Sequence, residues 1–506
     1  MSPEMIADLQ ALMPEIWLVA AIVVTLTADL ILGHGRTART VTGVIGIAGV
    51  VGALMALWEQ DTTLPARAFG VLSVDGYAWF FRAIIISTTG LVILYGIIFR
   101  GLENHTRNEF HPMLLGAAFG GCLLVSTDNL LMLVLGMEML SLPSYIMAGW
   151  QKRERRSAEA ALKYLVYGAL ASGLMLFGFS LLYGMSGSLS LPDIGLAITE
   201  QWTVGGELGR VLVVASSVLV FAGIGFKISA FPFHFWAPDV YEGAPAPVTA
   251  MLAVASKAAG IGMLLRFVDG AFLGMVVSED WLARIGSVTA VIAAVTMTYG
   301  NITAVKQTNV KRLLAYSSIA HAGFLLMGVA VMLTATGDDR SAVENGQQAT
   351  LIYLATYYFG TLGAFGCLMA LANRFGAEDL EDYEGLGRQA PWIGVMFVIF
   401  LASLTGLPPT AGFVGKLFVF RAALSSGLDW LAIVAALNAA VALFYYMKVP
   451  VALFLRGSDR AEAVDQPGHG LVPRFANLSI LVLALATVWL GLMFDGLIEW
   501  VNHSLL

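Results

Sequence analysis

Three lysines and a glutamate stand inside apolar runs that offer them no water. Lys227 lies near the end of the run 208–231, and Lys257 about 12 residues into the run 245–268, some 18 Å along a helix. Glu138 sits near the middle of LVLGMEMLSLPSY, and Lys416 follows a Pro-Pro break in the run 392–424. One charge at the middle of a bilayer costs about 2.5–3.5 kcal/mol on insertion scales, so each of the four needs a reason. Amines and carboxylates exchange protons. Burial favours the neutral amine and a nearby carboxylate restores the ammonium. A Glu138 that approaches and leaves Lys227 would therefore make that lysine take up and release a proton. Lys257 would accept the proton through water and Lys416 would pass it toward an exit, behind a dry barrier of Phe, Leu and Met side chains. Static ion pairs that only fix packing are the competing reading, weakened by the depth of all four side chains.

Such groups need broken helices to position them. In FAGIGFKISAFPFHFWAPDVYEGAPAPVT, residues 221–249, Pro232 follows Lys227 closely among Phe231, Phe233, His234 and Phe235. A proline there removes a backbone donor and frees carbonyls that hydrocarbon cannot satisfy, which is tolerable only beside a hydrated cavity or protein. The segments 208–243 and 392–424 are both too long for one span, since a helix of about 33 residues reaches about 50 Å. The first is interrupted at Phe231-Pro232 and the second at Gly406-Leu407-Pro408-Pro409, each with a lysine close by. Paired broken segments in matching positions point to a transport site near the midplane.

Runs able to cross a bilayer fall at 14–33, 41–58, 78–99, 113–127, 129–149, 161–185, 208–231, 245–268, 284–304, 312–334, 350–373, 392–424, 430–455 and 475–500. The fold class is an all-α polytopic membrane protein of about 14 transmembrane helices. Each break lies in the fourth helix of a five-helix block. Because five is odd, the second block must run inverted relative to the first. This divides the chain into an N-terminal three-helix segment (1–112), a first repeat (113–268), an inverted repeat (269–455), and a C-terminal loop with the last helix (456–506).

Composition agrees. Of 506 residues, 58% are hydrophobic and 12% charged, with a mean hydropathy of +0.78, whereas soluble domains carry about 25% charged residues. The net charge of −7 is spread through loops, which leaves no footprint for nucleic acid. Basic residues gather on alternate loops, among them Arg36, Arg39, Arg100, Arg107, the cluster Lys152 to Arg156, Lys306, Arg374, Arg456 and Arg460. By the positive-inside rule those loops face the cytoplasm and both termini the periplasm. Arg82 counts with the span edges of the other face. No cleavable signal peptide is expected, because Glu4 and Asp8 precede the first apolar run.

Other polar residues carry blander readings. Lys163, Lys311 and Lys448 lie near span ends, where a lysine either anchors at the interface or serves the buried line. Asp29 and Asp128 read as caps or solvent-facing groups, and His234 and His321 as core histidines or proton carriers. Cys122 and Cys367 are single buried thiols, unable to hold an iron–sulfur cluster. No glycine-rich dinucleotide loop lies between a strand and a helix.

At KISAFPFHFWAPDVYEGAPAPVTAMLAVASK, VKRLLAYSSIAHAG and SLTGLPPTAGFVGKLFVF the chain resembles the antiporter-like membrane subunits of complex I. MPEI near the start, DYEGLGRQAPW and the lysine of the twelfth span place the resemblance with the bacterial N-type subunits. It covers nearly the whole chain. The resemblance implies a proton channel driven by quinone chemistry elsewhere, with Glu138, Lys227, Lys257 and Lys416 transferring protons and Lys163, His234 and His321 in secondary roles. It implies no cofactor in this chain, with NADH, FMN, iron–sulfur clusters and quinone in other subunits, and related antiporter-like subunits as partners in a bacterial inner membrane. A subunit of a multi-subunit sodium/proton antiporter is the nearest alternative, separated by whether pumping needs NADH and quinone. A transporter for a small organic solute would need polar groups suited to that solute, where lysines and a glutamate dominate here. A structural spacer predicts that lysine removal costs stability but not transport.

Overall fold

The computed structural model describes residues 3–33, 35–60, 66–99, 109–273, 279–334, 340–457 and 474–505. Arg100, Arg107, Arg460 and most of the 456–473 loop lie outside them. The described chain is a helical membrane protein. Twelve helices are long and apolar enough to cross a bilayer, and Phe110–Val125 and Pro391–Thr405 are shorter apolar helices.

In chain order, α1 is Pro3–Ala11, α2 Met13–Leu32, α3 Arg36–Trp58, α4 Gly76–Ile98, α5 Phe110–Val125, α6 Leu130–Ala148 and α7 Arg155–Ser186. Next come α8 Leu191–Thr203, α9 Gly206–Ile228 and α10 Trp236–Gly243. α11 is Ala246–Leu273, followed by α12 Glu279–Ala304, α13 Val310–Thr334 and α14 Arg340–Phe375. α15 is Pro391–Thr405 and α16 Ala411–Ser425. The last are α17 Asp429–Leu455, α18 Arg474–Leu492 and α19 Asp495–Asn502.

Burial sorts these helices. α11, α13 and α14 are almost wholly interior, whereas α2 and α18 turn most of their apolar surface outward, as lipid-facing helices do. Helices in hydrocarbon gain little from apolar burial against one another and rely on close packing of small residues. α5 and α6 show it. A Cβ at Gly120 would meet the backbone of Leu140 at 2.5 Å, and one at Gly136 the backbone of Leu124 at 2.8 Å. Those two glycines let the two backbones touch.

Two elements were not anticipated. A two-stranded antiparallel hairpin, Ala66–Ala68 with Leu72–Val74, occupies the loop before α4 and pairs Leu72 with Thr127. Its strands are only three residues long, too short for an alternation pattern to register. α8 also lies in a stretch read as loop, because it is shorter than a span and amphipathic. Two charge assignments change as well. Arg82, counted with the span edges, is fully buried and pairs with buried Glu15 at 2.9 Å. Asp29, read as a cap or a solvent-facing group, is 7% exposed. Both changes arise because the first helices pack laterally on α4 and α5 and cover faces that a one-dimensional reading leaves open.

Gly136→Val should force α5 and α6 apart at a cost of about 1–3 kcal/mol, read as a lower thermal midpoint of the purified protein. Gly173→Ala, where a Cβ meets nothing within 4 Å, is the silent control.

Candidate functional site

The first break is made by the backbone between α9 and α10. Ser229 adopts φ 61°, and the amide of Ala230 donates to the carbonyl of Gly225 at 2.8 Å, which ends α9 before Pro232 is reached. The groups freed by the break find partners. Trp236 Nε1 donates to the Phe226 carbonyl at 3.0 Å, and the Phe231 amide to Thr296 Oγ1 at 3.1 Å. The second break is closed in the same manner. Gly406 takes φ 89°, its amide and that of Leu407 bond back to α15, and Lys416 Nζ donates to the freed carbonyl of Thr405 at 2.6 Å. A Cβ on Gly406 would meet the Lys416 stem at 2.6 Å, so glycine serves both the turn and the lysine.

Lys227, Lys257 and Lys416 are all at least nine-tenths buried. Lys227 Nζ donates to Ser141 Oγ at 2.9 Å. Glu138 lies one turn before Ser141 on α6 and is half-buried, and the ion pairs among the described residues do not join it to Lys227. Across from Lys227, its stem lies beside Gly260 of α11, about one turn from Lys257. Lys257 directly follows the π turn Leu252–Ser256. A π turn shifts the register of every side chain beyond it and is common at functional sites. Lys257 Nζ donates to both the carbonyl and the hydroxyl of Ser318, at 2.6 Å to the latter.

From Ser318 the hydroxyl line continues along α13. Tyr357 donates to Ser318 Oγ at 3.0 Å, and the Tyr241 hydroxyl lies 3.3 Å from it. One turn on, His321 holds Tyr353 at Nδ1 (2.7 Å) and Tyr446 at Nε2 (3.1 Å), while Tyr446 also bonds Ser317. A cavity of about 10 Å³, lined by His321, Tyr353, Tyr357, Ser403, Gly412 and Lys416 among others, joins the histidine to the last lysine. That is about the space one water needs. Lys257 lies 5.7 Å from the centre of the Tyr357 ring and Lys416 4.9 Å from that of Phe324, so both ammonium groups face π-electron density.

The structure thus brings together Lys227, Lys257, His321 and Lys416, with Glu138 on the adjoining turn. It separates two other expected residues. His234 is buried between Phe231, Phe235 and Tyr299, and neither ring nitrogen has a hydrogen-bond partner among the described residues. Lys163 is 36% exposed and belongs to an ion-pair network, bonding Glu159 at 2.7 Å and Asp239 at 2.6 Å. Arg312 completes that network with Asp239 at 2.7 Å and Glu242 at 2.9 Å. Lys311 reaches the Ala244 carbonyl at 3.5 Å and Lys448 the Val305 carbonyl. The hydroxyl partners Ser141, Ser318, Tyr353, Tyr357 and Tyr446 escaped the sequence reading, which searched for charges. Their signal was there in Ser318 and His321 three apart, and in Tyr353 and Tyr357 four apart, each pair on one helix face.

The family model described as NADH:quinone oxidoreductase/Mrp antiporter, TM, matches residues 127–442. NADH-quinone oxidoreductase subunit N of Chlorobium chlorochromatii is 39% identical over 97% of this chain and 93% of its own length. The subunit N of an Anaeromyxobacter strain is 38% identical over 97% and 95%. A chain of respiratory complex I from Thermus thermophilus superposes with a TM-score of 0.76 at 31% identity, over 96% of this chain and 99% of that one. A chain of the Mrp complex from Dietzia sp. gives 0.77 at 22% identity, over 100% and 97%, a likeness of fold alone. The chain belongs to the NADH:quinone oxidoreductase/Mrp antiporter membrane family, and within it to the N-subunit branch.

Lys163→Ala should change stability by less than about 1 kcal/mol, since its pairs are solvent-screened, and leave more than half of proton translocation. A loss as complete as that of a buried lysine would place Lys163 on the line, as measured by quenching of a pH dye in proteoliposomes.

Proposed function

We propose that protons cross this chain along Lys227, Lys257, His321 and Lys416, with Glu138 biasing the first lysine. The chain is a proton-translocating membrane subunit of NADH:quinone oxidoreductase, and the redox chemistry that drives it takes place elsewhere in the complex. The observation that carries the assignment is the buried run of ammonium, hydroxyl and imidazole groups from Ser141 to Thr405.

Each link has a chemical reason. An ammonium donates and a hydroxyl both donates and accepts, so Ser141 and Ser318 can take a proton in one hydrogen bond and offer one in another. A neutral imidazole donates from one nitrogen and accepts at the other. His321, held between two tyrosine hydroxyls, can therefore accept a proton on the Tyr446 side and release one on the Tyr353 side, reversing its tautomer. The cavity beyond gives room for a water to carry the proton to Lys416. Glu138, in no ion pair among the described residues, can strengthen or weaken its field at Lys227 by moving within its turn.

The finer parts of the reading follow the same logic. The two broken helices occupy corresponding places in two inverted five-helix repeats, 113–268 and 269–455. The N-terminal segment, 1–112, covers the first repeat. Both termini face the periplasm of a bacterial inner membrane, since the basic loops mark the cytoplasmic face. The partners are related antiporter-like subunits of the same complex, and this chain binds neither NADH nor quinone.

In membranes carrying an otherwise intact complex, Lys227→Ala and Lys416→Ala should each lower proton translocation per NADH oxidised at least several-fold, with the complex still assembled on a native gel. Wild-type pumping by both variants would sink the assignment. His234→Ala should pump within about twofold of wild type, because it removes no hydrogen bond; RT ln 2 is about 0.4 kcal/mol.

A further inference from the structure

A cleft of about 320 Å³ runs down α9, between that helix and α12, with Leu264 of α11 and Leu326 and Val329 of α13 also lining it. Its walls are apolar, among them Phe221, Ile224, Phe231, Ile285 and Ile292, and its floor is the break itself, Ala230 to Phe233. It opens sideways between Val218 and Val288, which are 62% and 59% exposed on helices long enough to span a bilayer. The lining residues of α9 extend from Val214 to Ile228, a rise of about 21 Å. Half of a hydrocarbon core is about 15 Å, so the cleft is deep enough to take the acyl chain of one leaflet.

The mouth is polar and positive. Trp281 and Arg284 line it. The Trp281 indole is 93% buried against the Trp202 ring at 4.0 Å, and its Nε1 has no hydrogen-bond acceptor among the described residues. Arg210 lies over the Trp202 ring at 5.8 Å. Indole donors and arginines at the end of a membrane helix suit the headgroup level of a bilayer. A buried N–H lacking an acceptor calls for one from the ligand.

We infer that this cleft is a phospholipid site: one acyl chain lies along α9 against Phe221 and Ile224, and the phosphate oxygens accept from Trp281 Nε1 and the Arg284 guanidinium. A chain seated there packs on Phe231 and Phe233, the residues that hold the break beside Lys227. The site itself stands on geometry and does not depend on the proton path. The volume falls at the lower end of ordinary ligand pockets, which fits one chain rather than a whole lipid.

The test uses the assembled complex in liposomes doped with a phospholipid carrying a photoactivatable group in one acyl chain. Labelled peptides are then mapped by mass spectrometry. Labelling should concentrate on 218–233 and 285–292 and exceed that of the exposed α7 face at Leu162, Val166 and Leu170. Val288→Trp, on the exposed rim, should reduce cleft labelling to the level of that control face. Val218→Trp on the opposite rim repeats the test if the first variant assembles poorly. Trp281→Phe and Arg284→Ala should weaken labelling by the phospholipid but not by a photoactivatable diacylglycerol, which lacks the phosphate. Cleft labelling no higher than the α7 face, or unchanged by both rim tryptophans, overturns the site. So does a neighbouring polypeptide cross-linked in the cleft in place of lipid. Equal effects of Trp281→Phe and Arg284→Ala on both probes overturn the phosphate contact.

Discussion

Inside hydrocarbon, a free carbonyl or ammonium has no water to turn to, and both broken helices of this chain are built around that requirement. A break is useful because it exposes backbone polarity at mid-membrane, and costly for the same reason. Here the cost is offset locally. Trp236 adds a donor to the Phe226 carbonyl in the last turn of α9, and Lys416 takes the Thr405 carbonyl released by α15. The second of these joins fold to the proposed function in one bond, since the lysine that satisfies the break is also the last lysine of the proposed proton line.

The location of that line follows from packing. Lys257, His321 and the tyrosine pair Tyr353 and Tyr357 sit on α11, α13 and α14, the helices most deeply covered by the rest of the molecule. Only interior helices can present polar groups to each other while keeping them from lipid. Small residues then set how near the groups come. Gly260 admits the Lys227 stem against α11, and Gly406 does the same for Lys416 at the second break.

Two kinds of charge therefore coexist. Lys163, Arg312, Asp239 and Glu242 pair with one another in a partly exposed, solvent-screened network. Lys227, Lys257 and Lys416 have no carboxylate ion-pair partner among the described residues. Their donors rest on hydroxyls and carbonyls, the arrangement the proposed proton path uses, because release of a proton would strand no partner carboxylate there. A tight Glu138–Lys227 ion pair would have held the proton. Lys227 donates instead to Ser141, one turn along α6 from Glu138.

Much of this was legible in the amino-acid order. Hydrophobic run length gave the membrane class, because bilayer thickness imposes its length on every crossing helix. Proline and glycine marked both breaks, because those residues act on their own backbone. Depth along a run singled out Glu138, Lys227, Lys257 and Lys416, because a buried charge is costly wherever its neighbours lie. Only the tertiary structure decided the partners. Whether His234 or His321 joins the line depends on what other helices bring to each ring. His234 meets Phe231, Phe235 and Tyr299, while His321 meets two hydroxyls. Arg82 found Glu15 across sixty-odd residues for the same reason. The cost of a polar group is local and can be read from one segment, but its compensation is supplied by another helix, at a sequence distance that no periodicity encodes.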